Sequence, residues 1–410
     1  MPVNGDNIAN CVLAAFDGLP SKSKPRRRTD EKREWVPLSG IVLEKAGGPL
    51  ECVALATGMK CLPTSRLPQA SGNILHDSHA EILAIRAFNR FLLDECAALK
   101  ADSNRFVRRR EWIELSDEEP QPFALVQDVK IHMYCSEAPC GDASMELTMA
   151  AQKDVTPWEV PPAAEDGAQE KLRGRGYFSE LGIVRRKPSR PDAPPTLSKS
   201  CSDKLALKQF TSLLSTLASF ILSPRSAYLS TLTLPRSQYI ADAISRTFSP
   251  IGRLAPLTLH SSPTTYASWQ EAGYSFTPFE TLTTEREFVY SRRSVSYGLE
   301  KESQPVASNI SALWTPRVHE TLVNGARQGR KAGDLRGASA VSRRRLWEAV
   351  VAIVDAEGKQ RLNVRTYREL KEVNGDIMLA KRQAVKKASK KLLLGWKQNV
   401  GDDYWEMNAA

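Results

Sequence analysis

The sequence predicts a layered α/β or α+β fold, because stretches typical of strands and of helices alternate along the 410-residue chain. VKIHMYCSE carries apolar side chains at every second position, as a half-buried strand does, whereas SQYIADAISRTF repeats them at helical spacing. A hydrophobic content of 41% is enough for a sizeable core. No internal repeat or long linker divides the chain, so we expect one domain over residues 1–410.

Local patterns assign the elements of the first half. MPVNGDNIANCVLAAFDGLP predicts an amphipathic helix rather than a secretion signal, because it carries acids and amides and lacks a basic leading region. LSGIVLE and VKIHMYCSE predict strands, and PCGDASMELTMAAQ predicts a turn that leads into a helix. The region from about 155 to 195 is rich in Pro, Gly and charge, which predicts a loop.

The second half continues the alternation. SCSDKLALKQFTSLLSTLASFIL predicts one long helix capped by Ser200 or Ser202. AYLSTLTL, REFVYSRRSVSYG and NISALWT predict strands, and the C-terminal third predicts basic helices that end in KRQAVKKASKKLLLGW. No apolar run approaches the roughly 20 residues that a membrane span needs.

Charge and cysteine content narrow the function. The net charge of +10 suits a polyanionic partner such as nucleic acid, although a solvated basic surface gives the same value. The seven cysteines are odd in number and irregularly spaced. With no secretion signal expected, this favours reduced thiols in the cytoplasm or nucleus, used for packing or metal binding rather than for disulfides.

The stretch ILHDSHAEILAIRAF predicts a helix start that carries His79 and, two residues later, Glu81. Asp77 or Ser78 is the expected cap of this helix. By itself, the H-x-E motif is weak, and a histidine at a helix cap explains His79 more simply than a metal ligand does. The apolar face of the helix is formed by Ile82, Ile85, Phe88 and Leu92.

Two cysteines complete a pattern of metal-ligand residues. Cys140 follows a strand and a proline in SEAPCGD, and Cys201 opens a helix in SKSCSDK, where the helix N-terminus favours a thiolate. H-x-E followed by P-C-x-x-C is typical of zinc-dependent nucleobase deaminases, whose three ligands leave one position open. Because Ala143 replaces the last cysteine of that pattern, the third ligand is Cys135 or Cys201. Alternatively, these cysteines are buried apolar side chains.

Together, HDSHAEI, SEAPCGD and SCSDKLALKQ resemble the editing-deaminase domain of the RNA adenosine deaminases, over a region from about IANCVLAAFDGLP to LLLGW. The resemblance implies an α/β, cytidine-deaminase-like mixed sheet core with helices on both faces and added C-terminal helices. It implies Zn²⁺ bound by His79, Cys140 and Cys201. It also implies that Glu81 carries the proton while adenosine is hydrolysed to inosine, and that Asp77 and Lys187 form a polar relay.

The same resemblance implies a buried inositol hexakisphosphate. The chain departs from the family pattern at Ile85, Leu207 and Ile377, and Arg343 or Lys331 is the candidate source of the missing charge. A solvated lysine-rich helix is the alternative for Lys386, Lys387, Lys390 and Lys391. The positions that match the family's inositol phosphate contacts are Ile82, Arg86, Lys204, Thr216, Tyr367, Lys371, Lys381 and Trp396.

Two segments resemble the tRNA-acting branch of this family, namely GIVRRKPSRPDAPP and LALKQ. Residues 1–75 predict only a helix, a basic loop and strands of the same domain, and no double-stranded-RNA-binding domain. The resemblance therefore implies adenosine 37 of alanine tRNA as the substrate. Arg185, Arg186 and Arg190 are expected to guide RNA phosphates, with a solvated loop as the alternative.

Two other classes of function stay open. One is a double-stranded-RNA adenosine-to-inosine editing deaminase. The other is a non-catalytic RNA-binding protein with a structural zinc, although such a site has no use for Glu81 beside an open coordination position.

Overall fold

The structure is a computed structural model that describes residues 3–26, 32–99, 106–151, 180–187, 194–297, 305–372 and 377–407. Most of the loop expected at about 155–195 falls outside these ranges, as does Arg190. Within them, no helix combines the length and the apolar character that crossing a membrane requires.

The strands are β1 (Glu34–Trp35), β2 (Leu38–Lys45), β3 (Leu50–Thr57), β4 (Met59–Cys61), β5 (Asp77–His79), β6 (Val107–Arg109), β7 (Phe123–Leu125), β8 (Val129–Cys135), β9 (Thr231–Pro235), β10 (Glu280–Thr284), β11 (Val306–Ala307), β12 (Ile310–Thr315), β13 (Val318–Val323) and β14 (Ala326–Arg327). The α-helices are α1 (Gly5–Asp17), α2 (Ala80–Ala97), α3 (Met145–Ala150), α4 (Cys201–Thr211), α5 (Ala241–Phe248), α6 (Pro256–His260), α7 (Pro263–Glu271), α8 (Arg292–Ser296), α9 (Arg343–Ile353), α10 (Ala356–Arg361), α11 (Tyr367–Glu372) and α12 (Ile377–Leu392).

An eight-stranded mixed sheet lies at the centre of the fold, in the order β10-β9-β8-β2-β3-β12-β13-β14. Strands β8, β9 and β10 run parallel to one another, and the remaining neighbours pair antiparallel. Strand β8 and helices α2 and α4 carry the candidate ligands to one end of this sheet. The expectation of an α/β fold with a mixed sheet is confirmed.

Helices cover both faces of the sheet because side chains alternate along its strands. On β2, Ile41 packs in the same cluster as Phe88 of α2. Its neighbour Val42 points to the opposite face and packs in the cluster that contains Val12 of α1. The one-residue alternation therefore divides the core into the two layers that the fold class requires.

Helix α4 is shorter than the sequence predicts. It ends at Thr211, because Ser212 adopts a φ of 57°, in the left-handed region, and turns the chain. Its N-cap is Ser200, whose hydroxyl accepts a backbone hydrogen bond, and not Ser202. The apolar pattern continues past the helix because turns and a short 3-10 helix bury the next leucines instead, namely Leu213, Leu214 and Leu217.

Two further local expectations are wrong. In REFVYSRRSVSYG the expected strand is the short helix α8, which starts where the Ser291 hydroxyl accepts a hydrogen bond from Ser294 N. Near the first motif, Asp77 and Ser78 are not helix caps but belong to β5, which pairs with β4. His79 itself takes the N-cap position of α2, with no capping bond from its side chain.

Hydrogen bonds join the C-terminal segment to the residues that precede β5. One Asp402 oxygen accepts a hydrogen bond from His76 Nε2 at 2.6 Å and another from Arg343 Nη1 at 3.0 Å. The other Asp402 oxygen accepts from Gly72 N at 2.8 Å. Burial and the Arg343 charge lower the pKa of His76 to about 4, so its imidazole is neutral here. The start of β5 is thereby held against the C-terminal helices.

Candidate active site

Three ligand-type side chains from three separate elements meet at one point. His79 precedes α2, Cys140 lies in the turn after β8, and Cys201 is the first residue of α4. Their ligand atoms lie within 4.8 Å of one another. Of the two cysteines left open by the spacing, Cys201 joins this set, whereas the Cys135 thiol is buried and accepts a hydrogen bond from Ser39 Oγ.

The spacing and the electrostatics of this triangle fit a zinc ion. Tetrahedral zinc places a nitrogen and a sulfur ligand about 3.6 Å apart, and Cys140 Sγ lies 3.7 Å from His79 Nδ1. Burial and Lys187 lower the pKa of His79, but the charge and the hydrogen bond of Cys140 outweigh them, and the pKa is raised to about 10. The pocket thus favours a positive charge at this point, and a metal cation supplies it in place of the proton.

A second group of ligand-type atoms overlaps the first and contains Cys61, Asp77 and His79. Its carboxylate is already engaged, since Asp77 Oδ2 accepts hydrogen bonds from Lys187 Nζ at 2.9 Å and from Lys204 Nζ. Because these cations hold the pKa of Asp77 well below its usual value despite burial, Asp77 stays ionised and paired. The group with two cysteines is therefore the better metal site.

Lys187 links Asp77 to the ligand set. Its ammonium donates to Asp77 Oδ2 at 2.9 Å and to Cys201 Sγ at 3.0 Å, and its side chain is buried. Asp77 Oδ1 in turn accepts from His79 N at 3.0 Å. The structure therefore brings the two expected relay residues together, between two of the three ligands.

Glu81 lies in the first turn of α2, two residues after His79, and is 6% exposed. Burial, followed by the charge of Cys140, raises the pKa of its carboxyl above the ordinary value. A raised pKa brings the carboxyl closer to the working pH, which favours its use as a general acid–base. Glu81 is not among the ligand-type groups that converge, so it is free for that role.

Gly141 allows the turn that carries Cys140 to approach α4. It has a φ of 107°, which only glycine adopts without strain, and a Cβ at this position would lie 2.2 Å from Ser200 Oγ. Any side chain would therefore push the turn away from the helix start and separate Cys140 from Cys201.

We expect Gly141→Ala to lower the free energy of unfolding by more than about 3 kcal/mol and to reduce bound zinc, because backbone strain and a clash act together. The measurements are urea unfolding and metal analysis of the purified protein. Gly182→Ala is the matched control, since Gly182 has a φ of 77° but nothing within 4 Å of its Cβ position. It adds strain of about 1 kcal/mol without a clash. Equal losses in the two variants would contradict the close-approach role of Gly141.

Sequence reasoning missed a buried ionic network that braces the turn and the helix. Asp203 accepts hydrogen bonds from Arg253 Nη1 at 2.7 Å and from the backbone of Arg185 at 2.9 Å. Asp142 accepts one from Arg246 Nε at 3.1 Å. Both carboxylates are fully buried. No local spacing signals these pairs, because the partners lie far apart in the sequence.

A basic cluster lies between α2, α4 and α12 and consists of Arg86, Lys208, Arg382 and Lys386. Burial and mutual repulsion lower the pKa of both Lys208 and Lys386 well below the ordinary value. Arg382 is 4% exposed and its Nε is buried without a hydrogen-bond partner. Among the described residues, no carboxylate lies within ion-pair distance of these four side chains.

This arrangement fits a polyanion, because buried cations without counter-charges are otherwise costly. Lys386 and Lys390 are therefore not simply solvated lysines, while Lys387 and Lys391 are exposed as that alternative expects. Lys390 lies 5.5 Å from the ring of Trp396.

The other positions matched to the inositol phosphate shell lie in different surroundings. Lys204 contacts Asp77, Lys371 donates to Asp403 at 3.2 Å, and the Tyr367 ring lies 5.0 Å from the Lys371 ammonium. Lys381 instead pairs with Glu118 at 3.0 Å, so it belongs to a different surface. Ile82 is partly buried on α2, and Thr216 is buried in the loop after α4.

The structure explains two of the three departures from the family pattern, at Ile85 and Leu207. Ile85 and Leu207 are buried in the main hydrophobic core, where apolar side chains fit. Arg343 contributes positive charge near Arg86, whereas Lys331 is exposed. Ile377 begins α12.

The expectation that three arginines guide RNA is wrong for Arg185, whose side chain is fully buried. Arg186 is partly exposed and remains a candidate, and Arg190 lies outside the described residues.

The adenosine-deaminase (editase) domain matches residues 54–400. The chain therefore belongs to the adenosine-deaminase (editase) domain family, which agrees with the fold, the ligand triangle and Glu81. Its activity is hydrolytic deamination, and the resemblance drawn from the three motifs is confirmed.

Individual relatives are more specific. The chain is 36% identical over 406 residues to tRNA-specific adenosine deaminase 1 of Schizosaccharomyces pombe, covering 98% of this chain and 96% of that protein. It is 36% identical over 239 residues to the Saccharomyces cerevisiae protein of the same name, covering 56% and 58% of the two chains. Similarity to the Drosophila melanogaster double-stranded RNA-specific editase Adar is lower, at 29% over 263 residues, covering 58% of this chain and 35% of that one.

Proposed function

We propose that this protein converts adenosine to inosine in tRNA, at adenosine 37 beside the anticodon of alanine tRNA, with zinc held by His79, Cys140 and Cys201. The observation that carries the proposal is the convergence of these three ligand atoms within 4.8 Å, next to the buried Glu81. Similarity over 96% of the length of a tRNA-specific deaminase supports tRNA as the substrate.

The chemistry follows from the residues around the site. A zinc ion held by His79, Cys140 and Cys201 would supply a Lewis acid that makes water easier to deprotonate near neutral pH. Glu81 accepts one proton from the attacking water and delivers it to the ring nitrogen N1. It then moves the second proton, from the new C6 hydroxyl, to the departing amine, so it acts as base and as acid in turn. Water replaces the exocyclic amine at C6 of adenine, and the products are inosine and ammonia. Lys187 orients Cys201 by donating a hydrogen bond to its sulfur, and Asp77 orients His79 by accepting one from its backbone N–H.

Adenosine 37 suits such a site because it lies in the anticodon loop and is not paired. An enzyme that acts on a base inside a duplex must first extract it from the stack, at a cost of a few kcal/mol. A base in a single-stranded loop enters the pocket with a smaller penalty.

We further propose that the basic cluster binds inositol hexakisphosphate. The cluster brings together one buried and three partly buried cationic side chains, with no carboxylate partner among the described residues. Arg86, Lys208 and Arg382 already donate to backbone carbonyls, which do not neutralise their charge. A polyphosphate offsets their repulsion through charge-assisted hydrogen bonds. Lys371, Tyr367 and Trp396 lie on the same C-terminal helical region and are the candidate outer contacts.

The wild-type protein is expected to form inosine at position 37 of unmodified alanine tRNA and to leave a long RNA duplex unchanged. Sequencing of both RNAs after incubation measures this, because inosine is read as guanosine. Inosine in the duplex alone would overturn tRNA as the substrate and favour the editing activity. No inosine in either RNA, with zinc bound, would favour the non-catalytic alternative.

A further inference from the structure

Four arginines converge on a surface cleft of about 420 Å³ that the proposed catalytic chemistry does not use: Arg327, Arg330, Arg336 and Arg345. They come from the end of β14, the turn after it, a 3-10 helix (Leu335–Gly337) and the first turn of α9. Because they arise from separate elements, the fold and not the local sequence creates this concentration of charge. We call this the arginine cleft.

The charge of the arginine cleft is only partly neutralised. Arg345 pairs with Glu348 at 2.7 Å, and Arg327 lies 3.5 Å from Glu320. That Glu320 carboxylate is shared, since it also accepts hydrogen bonds from Ser339 Oγ at 2.6 Å and from Ala340 N at 3.2 Å.

The remaining two arginines are open to solvent. Arg330 and Arg336 are exposed, and no carboxylate in the described ranges lies within ion-pair distance of either side chain. Four guanidinium groups thus line one cleft. Among the described residues, the carboxylates paired with them are Glu320 and Glu348.

The start of α9 adds to this positive potential. Its first turn carries Arg343, Arg344 and Arg345 and no acid, although the helix dipole disfavours cations at an N-terminus. Arg343 pairs with Asp402, Arg344 N donates to Gly72 O, and Arg345 N donates to Ser342 Oγ. The helix end therefore offers few open donors, and Arg345 is its contribution to the cleft.

The cleft is rigidly joined to the segment that leads to His79. Gly325 O, at the tip of the β13–β14 turn, accepts a hydrogen bond from Leu75 N at 2.9 Å. Gly333 O accepts one from Asn73 Nδ2 at 2.9 Å. An RNA held in the cleft would therefore have a fixed relation to the candidate active site.

We propose that the arginine cleft binds backbone phosphates of the RNA substrate outside the nucleotide that reacts. This inference rests on the proposed tRNA function and assigns it a second contact site. Guanidinium groups bind phosphate oxygens in pairs, which suits a groove that holds an RNA strand. Contacts to the backbone position a nucleic acid without reading its sequence. The cleft therefore contributes affinity for tRNA in general, and the candidate active site selects the adenosine.

The test is Arg330→Gln/Arg336→Gln, with Lys45→Gln/Lys130→Gln as the matched control. Each double variant removes two exposed positive charges, and Lys45 and Lys130 lie at the opposite end of β2 and β8 from Cys140. Filter binding of an unmodified alanine tRNA transcript and of a second tRNA is measured between 50 and 300 mM salt, together with KM for deamination of the alanine tRNA.

The cleft variant is expected to bind both tRNAs at least about tenfold more weakly, with a salt dependence reduced by about one to two phosphate contacts, and to show a raised KM. The control is expected to bind like the wild type. Equal binding and equal salt dependence in the two variants would overturn the cleft proposal while leaving the tRNA function intact. Wild-type protein that does not deaminate tRNA would refute the proposed function, and its binding data would still show whether the cleft holds RNA.

Discussion

Glu81→Ala is expected to lower kcat for deamination by at least about 10³-fold while the protein keeps its zinc. General acid–base catalysis contributes about 10² to 10⁴ per group, and Glu81 serves in more than one proton transfer. The ligand atoms of His79, Cys140 and Cys201 do not depend on the Glu81 carboxyl, so metal content is unaffected. Inosine formation in alanine tRNA and zinc content are measured on the same preparation.

Glu81→Gln separates proton transfer from packing. The amide preserves the volume of a side chain that is 6% exposed but cannot accept the proton, so this variant is expected to be as inactive as alanine. Burial deprives the ionised Glu81 carboxylate of hydration. Either substitution is therefore expected to lower the free energy of unfolding by no more than about 1 kcal/mol. Glu95→Ala, near the other end of α2, is the active control. Full turnover by Glu81→Ala would refute the assignment of the site.

Lys386→Met is expected to destabilise the protein by about 2 kcal/mol and to reduce its content of inositol hexakisphosphate. A hydrogen bond to a charged group contributes about 1.5 to 3 kcal/mol, and a ligand that binds only the folded state adds its binding energy to stability. Urea unfolding gives the change in stability, and phosphate analysis of the denatured protein gives the content of the ligand.

The sign of this effect distinguishes the two descriptions of the basic cluster. Without a polyanion, Lys386 is a buried cation repelled by its neighbours, as its lowered pKa shows, and its replacement by methionine would raise stability. Lys387→Met is the matched control, because Lys387 is the next residue on α12 and is exposed. It is expected to change stability by less than about 0.5 kcal/mol. Stabilisation by Lys386→Met, or a wild-type protein that releases no inositol phosphate, would contradict the proposal.

Local sequence patterns determine much of the secondary structure of this protein and most residues of its candidate active site. Alternating and helical apolar patterns gave the central strands and most helices, because each residue's environment in a regular element repeats with a fixed period. His79, Glu81 and Cys140 are recognisable from two short motifs, because H-x-E and P-C each keep their residues within one local turn. The motif that contains Cys201 completes the resemblance to the family, and His79, Cys140 and Cys201 do lie close together in the structure.

Other features depended on tertiary contacts. The chain leaves α4 at Thr211 because Ser212 turns it, although the apolar spacing continues. Arg185 is buried beside Asp203 instead of lying at the surface. Lys386 is partly buried among other cations instead of being fully solvated. In each case a side chain's role depends on partners distant in the sequence, and only folding brings them within reach. The arginine cleft has the same origin, since its four guanidinium groups become neighbours only when β14 and α9 pack together. Sequence thus determined the chemistry of the candidate active site, whereas the tertiary structure decided where charge is concentrated, because electrostatic energy depends on distance in space and not along the chain.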